Sequence, residues 1–385
     1  MNTKHPAIIQ LSKSALENNI AFMRSSFGAK TRISSVVKAN AYGHGIETFV
    51  PLSEACGIDH FSVFSAHEAE RVRQVCCTQT DIMIMGWIDP SDLEWVIKSE
   101  IEFYVFDTGR LQEAARIAAE LGAKAKIHIE LETGLNRTGF SDLELKEISP
   151  FIRQHLHVLQ IKGLCTHYAG AESIANYYRV QRQIKKFDQM SRMLFREGIE
   201  AETRHTACSA AAFSYPRTRM DMVRAGIMQY GFWPTRETFI QYIGRRKRKS
   251  DPLQRILSWK SQVMTLKDIA AGEFISYGTA YLAQEETRIA VIPVGYSSGF
   301  SRSLSNQGRV LINGNRVPVI GLVNMNMLLA DVTLLPEVKP GDEVTLIGRQ
   351  QDAVITVASF GDFNKQLNYE LLARLPKSIP RVVVD

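Results

Sequence analysis

Long apolar runs are missing from this chain of 385 residues. Charged side chains interrupt every hydrophobic stretch short of the roughly 20 residues that a membrane helix needs, so no membrane partner is expected. Cysteine is scarce. There are five, an odd number, and Cys76 and Cys77 are adjacent, which argues against a disulfide framework. No Cys/His spacing matches a zinc site, and no metal is expected. The opening residues Met1-Asn2-Thr3-Lys4-His5-Pro6 carry neither the basic segment nor the apolar core of a secretory signal, so the expected location is cytoplasmic. Internal repeats are also lacking. The one biased segment, Gly244-Arg245-Arg246-Lys247-Arg248-Lys249-Ser250, holds part of the net charge of +6. No aromatic residues interleave its charges and no recognition motif accompanies it, so it reads as a solvated loop and not as a nucleic-acid contact.

What is present is alternation. Short apolar runs near 33–37, 60–64, 81–85, 102–106, 125–131, 160–166, 203–207 and 222–230 read as strands, with helical patterns between them. In one such helix, 109–121, Leu111, Ala114, Ala115, Ala118 and Leu121 share a face. Eight alternations predict an α/β fold, a (β/α)8 TIM barrel with its chemistry at the C-terminal strand ends. After the basic run, short strands are separated by turn signals at Ala271-Gly272, Asn313-Gly314-Asn315 and Pro340-Gly341-Asp342. The expected organisation is a barrel over 1–240 and a mostly β C-terminal domain over 241–385, with residues 1–11 pairing with the second domain.

The most informative peptide is Val36-Val37-Lys38-Ala39-Asn40-Ala41-Tyr42-Gly43-His44-Gly45. It sets one lysine at the end of a buried strand, where desolvation lowers an amine's pKa and suits it to bind a carbonyl cofactor or to act as a base. Other polar residues follow other strands. Arg137 lies in Glu132-Thr133-Gly134-Leu135-Asn136-Arg137, His167 ends Gly163-Leu164-Cys165-Thr166-His167, and Ser209 follows Ala207-Cys208. Taken singly, these read as a surface arginine, a satisfied structural histidine and a helix cap. Arg224 is different, because an unpaired guanidinium within an apolar strand is costly and demands a buried partner. Gly226 and Ile227 can offer backbone N–H groups to a phosphate.

The Lys38 peptide resembles the signature around the pyridoxal 5′-phosphate (PLP) lysine of alanine racemases. Lys38, Tyr42, Arg137, His167, Ser209, Arg224, Tyr277 and Tyr296 occur in that family's order and near its separations, over essentially the whole chain. The resemblance implies a PLP enzyme that forms a head-to-tail homodimer and racemises a small amino acid, most simply alanine, by two bases. Lys38 would hold PLP and exchange the α-proton on one face. Tyr277 of the other subunit would exchange it on the opposite face. His167 and Arg224 would support Tyr277 and the ring nitrogen, while Tyr42, Ser209, Gly226 and Ile227 would anchor the phosphate. Arg137 and the Asn324-Met325-Asn326 loop would place the substrate carboxylate, with Tyr296 shaping the entrance.

The chain also departs from the family. Glu130 stands in Glu130-Leu131-Glu132-Thr133-Gly134 where the family has a lysine, often carbamylated, and it would supply the same negative charge to Arg137. Gly321-Leu322-Val323-Asn324-Met325-Asn326 lacks two charges that the family carries, Gly295-Tyr296-Ser297-Ser298-Gly299 differs at the entrance, and Cys208 replaces an asparagine. These changes spare both bases but bear on the substrate, so a racemase of serine or another amino acid is the alternative. A PLP decarboxylase shares the architecture, but the chain has no Gly-Gly dipeptide for that family's phosphate loop. A non-catalytic PLP carrier would need neither Tyr277 nor the second domain.

Overall fold

Strand β1 (Ile8–Ser12) opens the chain and is followed by eight short strands: β2 (Arg32–Val36), β3 (His60–Val63), β4 (Asp81–Ile84), β5 (Glu102–Val105), β6 (Ala125–Glu130), β7 (Leu159–Cys165), β8 (Thr203–His205) and β9 (Met222–Ala225). The computed structural model describes residues 4–244, 246–247, 249–360 and 368–385; Arg245 and Arg248 of the basic run, and the first three residues, lie outside the described residues. The eight strands form one sheet in the order β8-β7-β6-β5-β4-β3-β2-β9, and every neighbouring pair is parallel. Its two edges approach through a parallel bridge between Cys208 and Arg224 and an Arg224 N–H bond to the Ala207 carbonyl at 3.0 Å, which nearly closes a TIM barrel.

Side-chain alternation sorts each strand into two faces. Ile33, Phe61, Ile82, Phe103, Ile127 and Leu164 are buried and alternate with residues of the other face. That other face is the lumen, because Met83, Tyr104, Cys165 and Met222 from four separate strands pack there as one cluster. The helix expected over 109–121 spans Thr108–Leu121: the Asp107 side chain accepts the Arg110 N–H at 2.8 Å, and Gly122, with φ 60°, ends it in the left-handed conformation. The strand expected over 222–230 stops at Ala225. Beyond it the chain turns, with Gln229 N–H bonded to the Gly226 carbonyl and Tyr230 N–H to the Ile227 carbonyl.

Nine further strands follow: β10 (Leu257–Gln262), β11 (Thr265–Ile269), β12 (Thr287–Ile292), β13 (Arg309–Ile312), β14 (Asn315–Pro318), β15 (Leu328–Asp331), β16 (Glu343–Gln350), β17 (Ala353–Ile355) and β18 (Arg381–Val384). One sheet runs β14-β13-β16-β10-β1-β18, with β17 beside β16, and a second runs β11-β12-β15. β1 therefore sits between β10 and β18, with Ile9 opposite Trp259 and Arg381. The chain divides into two compact units. The barrel unit comprises Ala15–Lys38 and Val50–Gln254; the β unit comprises the described residues of Met1–Ser14, Ala39–Phe49 and Arg255–Asp385. Among the described residues no helix is long and apolar enough to cross a membrane.

Candidate active site

Lys38 follows β2 directly. The Val36 carbonyl just before it accepts hydrogen bonds from the Tyr230 hydroxyl at 2.9 Å and the Gln229 amide at 3.0 Å, which fixes where the strand ends. Burial pushes the Lys38 ammonium below its ordinary pKa; the Arg137 guanidinium pushes the same way and Glu68 opposes it. Four successive residues then adopt left-handed backbone: Ala39 at φ 52°, Asn40 at 56°, Ala41 at 53° and Tyr42 at 51°. Such a conformation costs a non-glycine residue about 1–2 kcal/mol, so the turn must be held by its surroundings. Within the β unit, Asn40 Oδ1 accepts the Ile46 N–H at 3.3 Å, and the Arg381 guanidinium donates to the Gly43 carbonyl at 2.8 Å. The Tyr42 ring lies 6.0 Å from that of Tyr369.

The barrel unit gathers several of the expected residues at the C-terminal strand ends. Ser209 begins a short helix, and its hydroxyl accepts the Gly226 N–H at 3.0 Å, leaving the hydroxyl proton free to be donated elsewhere. Arg224 is 5 % exposed. Its Nη1 donates to the His205 carbonyl at 2.6 Å and meets His205 Nδ1 at 2.7 Å; its Nη2 donates to the carbonyls of Thr166 at 2.8 Å and Thr206 at 3.3 Å. The buried partners that the sequence demands for this cation are thus three carbonyls and an imidazole, and none of these bonds uses Nε. His167, two residues past β7, is pushed down to about 3 by burial and by the Arg224, Arg137 and Lys38 cations, so its ring is neutral. Arg137 is exposed, on a loop in which the Glu132 carboxylate accepts the N–H groups of Gly134 and Asn136. Glu130 ends β6 at 4 % exposure. Burial pushes its carboxyl up, against the opposing pull of the Thr138 side chain and the Arg137 and Arg224 cations.

The β unit carries the remaining candidates. Tyr277 is 68 % exposed, and Tyr296 and Met325 are 40 % and 56 % exposed. Their loops are tied together. The Ser276 hydroxyl donates to the Leu322 carbonyl at 2.9 Å, Tyr296 N–H donates to the Asn324 carbonyl at 3.0 Å, and the Ser297 hydroxyl lies 2.7 Å from both the Met325 carbonyl and Asn326 Oδ1. Gly295 is required there, since a Cβ at that position would lie 2.1 Å from the Asn324 carbonyl oxygen.

Sequence reasoning missed a second layer of residues. His205, His128, Glu102 and His60 extend inward from Arg224 through the lumen. The available signal was period two at Ser62, Glu102 and His128, each a polar residue with an apolar neighbour on both sides; His60 and His205 have polar neighbours and gave no such signal.

A parallel barrel with lysine, arginine, histidine and hydroxyl groups at its strand ends, joined to a separate β unit, defines a two-part barrel protein with the makings of an active site. Within that class the chain belongs to the alanine racemase family, a family of isomerases: the model of the alanine racemase N-terminal domain matches residues 11–234 and that of the C-terminal domain residues 256–383. An alanine racemase of Leptospira interrogans is 32% identical over 385 residues, covering 100% of this chain and 97% of the relative. Among solved structures, alanine racemase of Clostridium difficile 630 superposes with a TM-score of 0.90 at 28% identity, covering 100% of this chain and 97% of that one. The Bacillus anthracis alanine racemase solved with bound L-Ala-P gives 0.88 at 28% identity, covering 100% and 96%.

Proposed function

We infer that the protein interconverts L- and D-alanine with PLP held at Lys38. The observation that carries this reading is Lys38 itself, half-buried at the end of β2 with its ammonium pushed down by burial, in a chain that matches alanine racemases over its full length. The residues present fit the cofactor. Ser209 has a proton to donate beside the Gly226 N–H, the buried Arg224 cation suits a ring nitrogen that stays unprotonated, and Lys38 is the amine for the aldehyde. Tyr42 and Ile227 complete the proposed phosphate anchors. Bound PLP supplies an electron sink that acidifies the α-hydrogen of an amino acid. The protein then has to move one proton on each face.

Lys38 Nζ exchanges the α-proton on one face, helped by a pKa already lowered toward neutrality, and Tyr277 Oη exchanges it on the other. Arg137, with Met325 and Asn326, holds the substrate carboxylate, and Tyr296 narrows the entrance. The exposure of Tyr277 supports its delivery to a second copy of the chain in a head-to-tail homodimer. Substrate choice is tested directly by incubating the purified holoenzyme with single enantiomers of alanine, serine and other amino acids in deuterated water. Racemisation of alanine with α-deuterium incorporation is the expected result. Racemisation of serine in preference would move the substrate, and carbon dioxide release or no turnover would overturn the reaction. Lys38→Ala should lose the absorbance band of lysine-bound PLP, and an unchanged spectrum would refute the cofactor assignment.

A further inference from the structure

A barrel lumen is ordinarily filled by layers of branched apolar side chains, yet this one contains a continuous file of polar groups. Arg224 Nη1 lies 2.7 Å from His205 Nδ1, His205 Nε2 lies 2.7 Å from His128 Nδ1, and His128 Nε2 lies 2.8 Å from Glu102 Oε2. The same carboxylate oxygen meets His60 Nε2 at 3.3 Å, and Lys162 Nζ stands 3.7 Å from its other oxygen. Glu102, His128, His205 and Arg224 are all at most 5 % exposed. Space for the file is provided by one residue: a Cβ on Gly163 of β7 would lie 2.2 Å from His128 Nδ1 and 2.9 Å from His205 Nε2.

The direction of each hydrogen bond follows from the two ends. A guanidinium can only donate, so His205 Nδ1 must accept and a neutral His205 carries its proton on Nε2. That proton is donated to His128 Nδ1, which leaves the His128 proton on Nε2, facing the carboxylate. One arrangement satisfies every contact: Arg224 to His205 to His128 to Glu102. Burial keeps both rings neutral, pushing His128 down and His205 well down. At the far end burial alone would raise Glu102, but the hydrogen bonds from His128 and His60 outweigh it and hold the carboxyl well below its usual range. None of the hydrogen-bond acceptors of Arg224 carries a charge, and the Glu130 carboxyl acts on it only through space. Glu102 is therefore the ionised group that hydrogen bonds connect to Arg224, by way of two imidazoles.

We propose that Glu102 is a positioning residue: through His128 and His205, each fixed as the Nε2–H tautomer, it orients Arg224 and balances its charge, so that the guanidinium meets the cofactor ring in one fixed geometry. This rests on the reading above that Arg224 faces the PLP ring. Glu102 touches neither substrate nor cofactor. Its effect reaches the reaction only by way of Arg224.

Three measurements on the PLP-loaded enzyme test it. In wild-type protein with 15N-labelled histidine, the ring shifts of His128 and His205 should report neutral rings protonated at Nε2; an imidazolium or an Nδ1–H ring at either position overturns the proposal, whatever the variants do. Glu102→Gln keeps an oxygen to accept from His128 but removes the charge. It should lower kcat on the order of ten- to a hundredfold, the scale on which changing the outer partner of a metal-bound histidine acts. KM for alanine should move by less than about twofold, and the ionisation of the PLP absorbance band should shift, which a merely structural role would not cause. Gly163→Ala, which forces the two imidazoles apart without changing a titratable group, should reproduce the kcat loss. Wild-type kcat and spectrum in Glu102→Gln would refute the role. If the wild-type enzyme neither binds PLP nor racemises alanine, the functional reading fails instead, while the ring shifts still decide the hydrogen-bond file.

Discussion

Glu130 ends β6 almost fully buried and within the field of Arg137, and its burial sets a pH dependence of its own. Its carboxyl is pushed above the ordinary carboxylate range. As pH falls through that raised value the group takes up a proton, and Arg137 loses the negative field that the proposed role of Glu130 supplies. Glu130→Gln lacks the charge at every pH. At neutral pH kcat/KM of the variant should therefore fall by about fivefold, corresponding to on the order of 1 kcal/mol, and the two profiles should converge in acid. Parallel profiles would show that Glu130 does not act through its charge. The stability effect has the opposite sign: a carboxyl with a raised folded-state pKa costs stability as pH rises, so the variant should be no less stable at pH 7. Arg224 was legible in the sequence because a charge inside an apolar strand announces a need for buried partners, and Lys38 because the peptide around it resembles a family signature. His128 and Glu102 were not, because each reads as one polar residue in a half-buried strand until the barrel closes and the lumen sets them side by side.

The turn from Lys38 to Gly45 carries two of the proposed site residues, Lys38 and Tyr42, and its glycines are not interchangeable with others in the chain. A methyl on Gly43 would lie 1.8 Å from the Leu372 carbonyl oxygen, at a backbone φ of 79°. Gly122 also has positive φ, 60°, but a Cβ there meets nothing within 4 Å. Gly122→Ala should accordingly cost about 1 kcal/mol, the conformational term alone. Gly43→Ala should cost on the order of 3 kcal/mol, because a backbone carbonyl must also move, and it should weaken retention of PLP. Urea midpoints of the two holoenzymes check this, and equal losses would refute the clash. All eight barrel strands were legible from apolar runs bounded by turn residues, to within a residue or two at most ends. The exception was 222–230, where buried Ile227, Met228 and Tyr230 continue the apolar composition past Ala225 although the backbone has already turned. Composition reports burial there, and not extension. The left-handed turn itself left no trace in composition, since Ala39 and Ala41 are poor candidates for positive φ.

Both units should be destabilised by acid, and for one reason. His44 in the β unit and His167 in the barrel unit are each pushed by burial to about 3. Below the unfolded value of about 6.5, the unfolded chain binds protons that the folded chain refuses. Each ring should then remove about 1.4 kcal/mol per pH unit until its folded value is reached. Melting temperatures taken from pH 7 to pH 4 should fall steadily, and a flat profile would show that these rings accept protons while folded. The assembly makes a sharper prediction. If Lys38 of one chain works with Tyr277 of the other, a mixed dimer of Lys38→Ala and Tyr277→Phe subunits has one site bearing both lesions and one site bearing neither. Each variant alone has two damaged sites, and a Tyr277→Phe site should lose about 10²- to 10⁴-fold in racemisation. Mixed at equal amounts and allowed to exchange subunits, half of the dimers are hybrids with one intact site of two. Activity should therefore recover to about a quarter of wild type, as random pairing of two-fold dimers requires. Were both residues supplied by the same chain, every site in the mixture would still carry a lesion and no recovery would be seen.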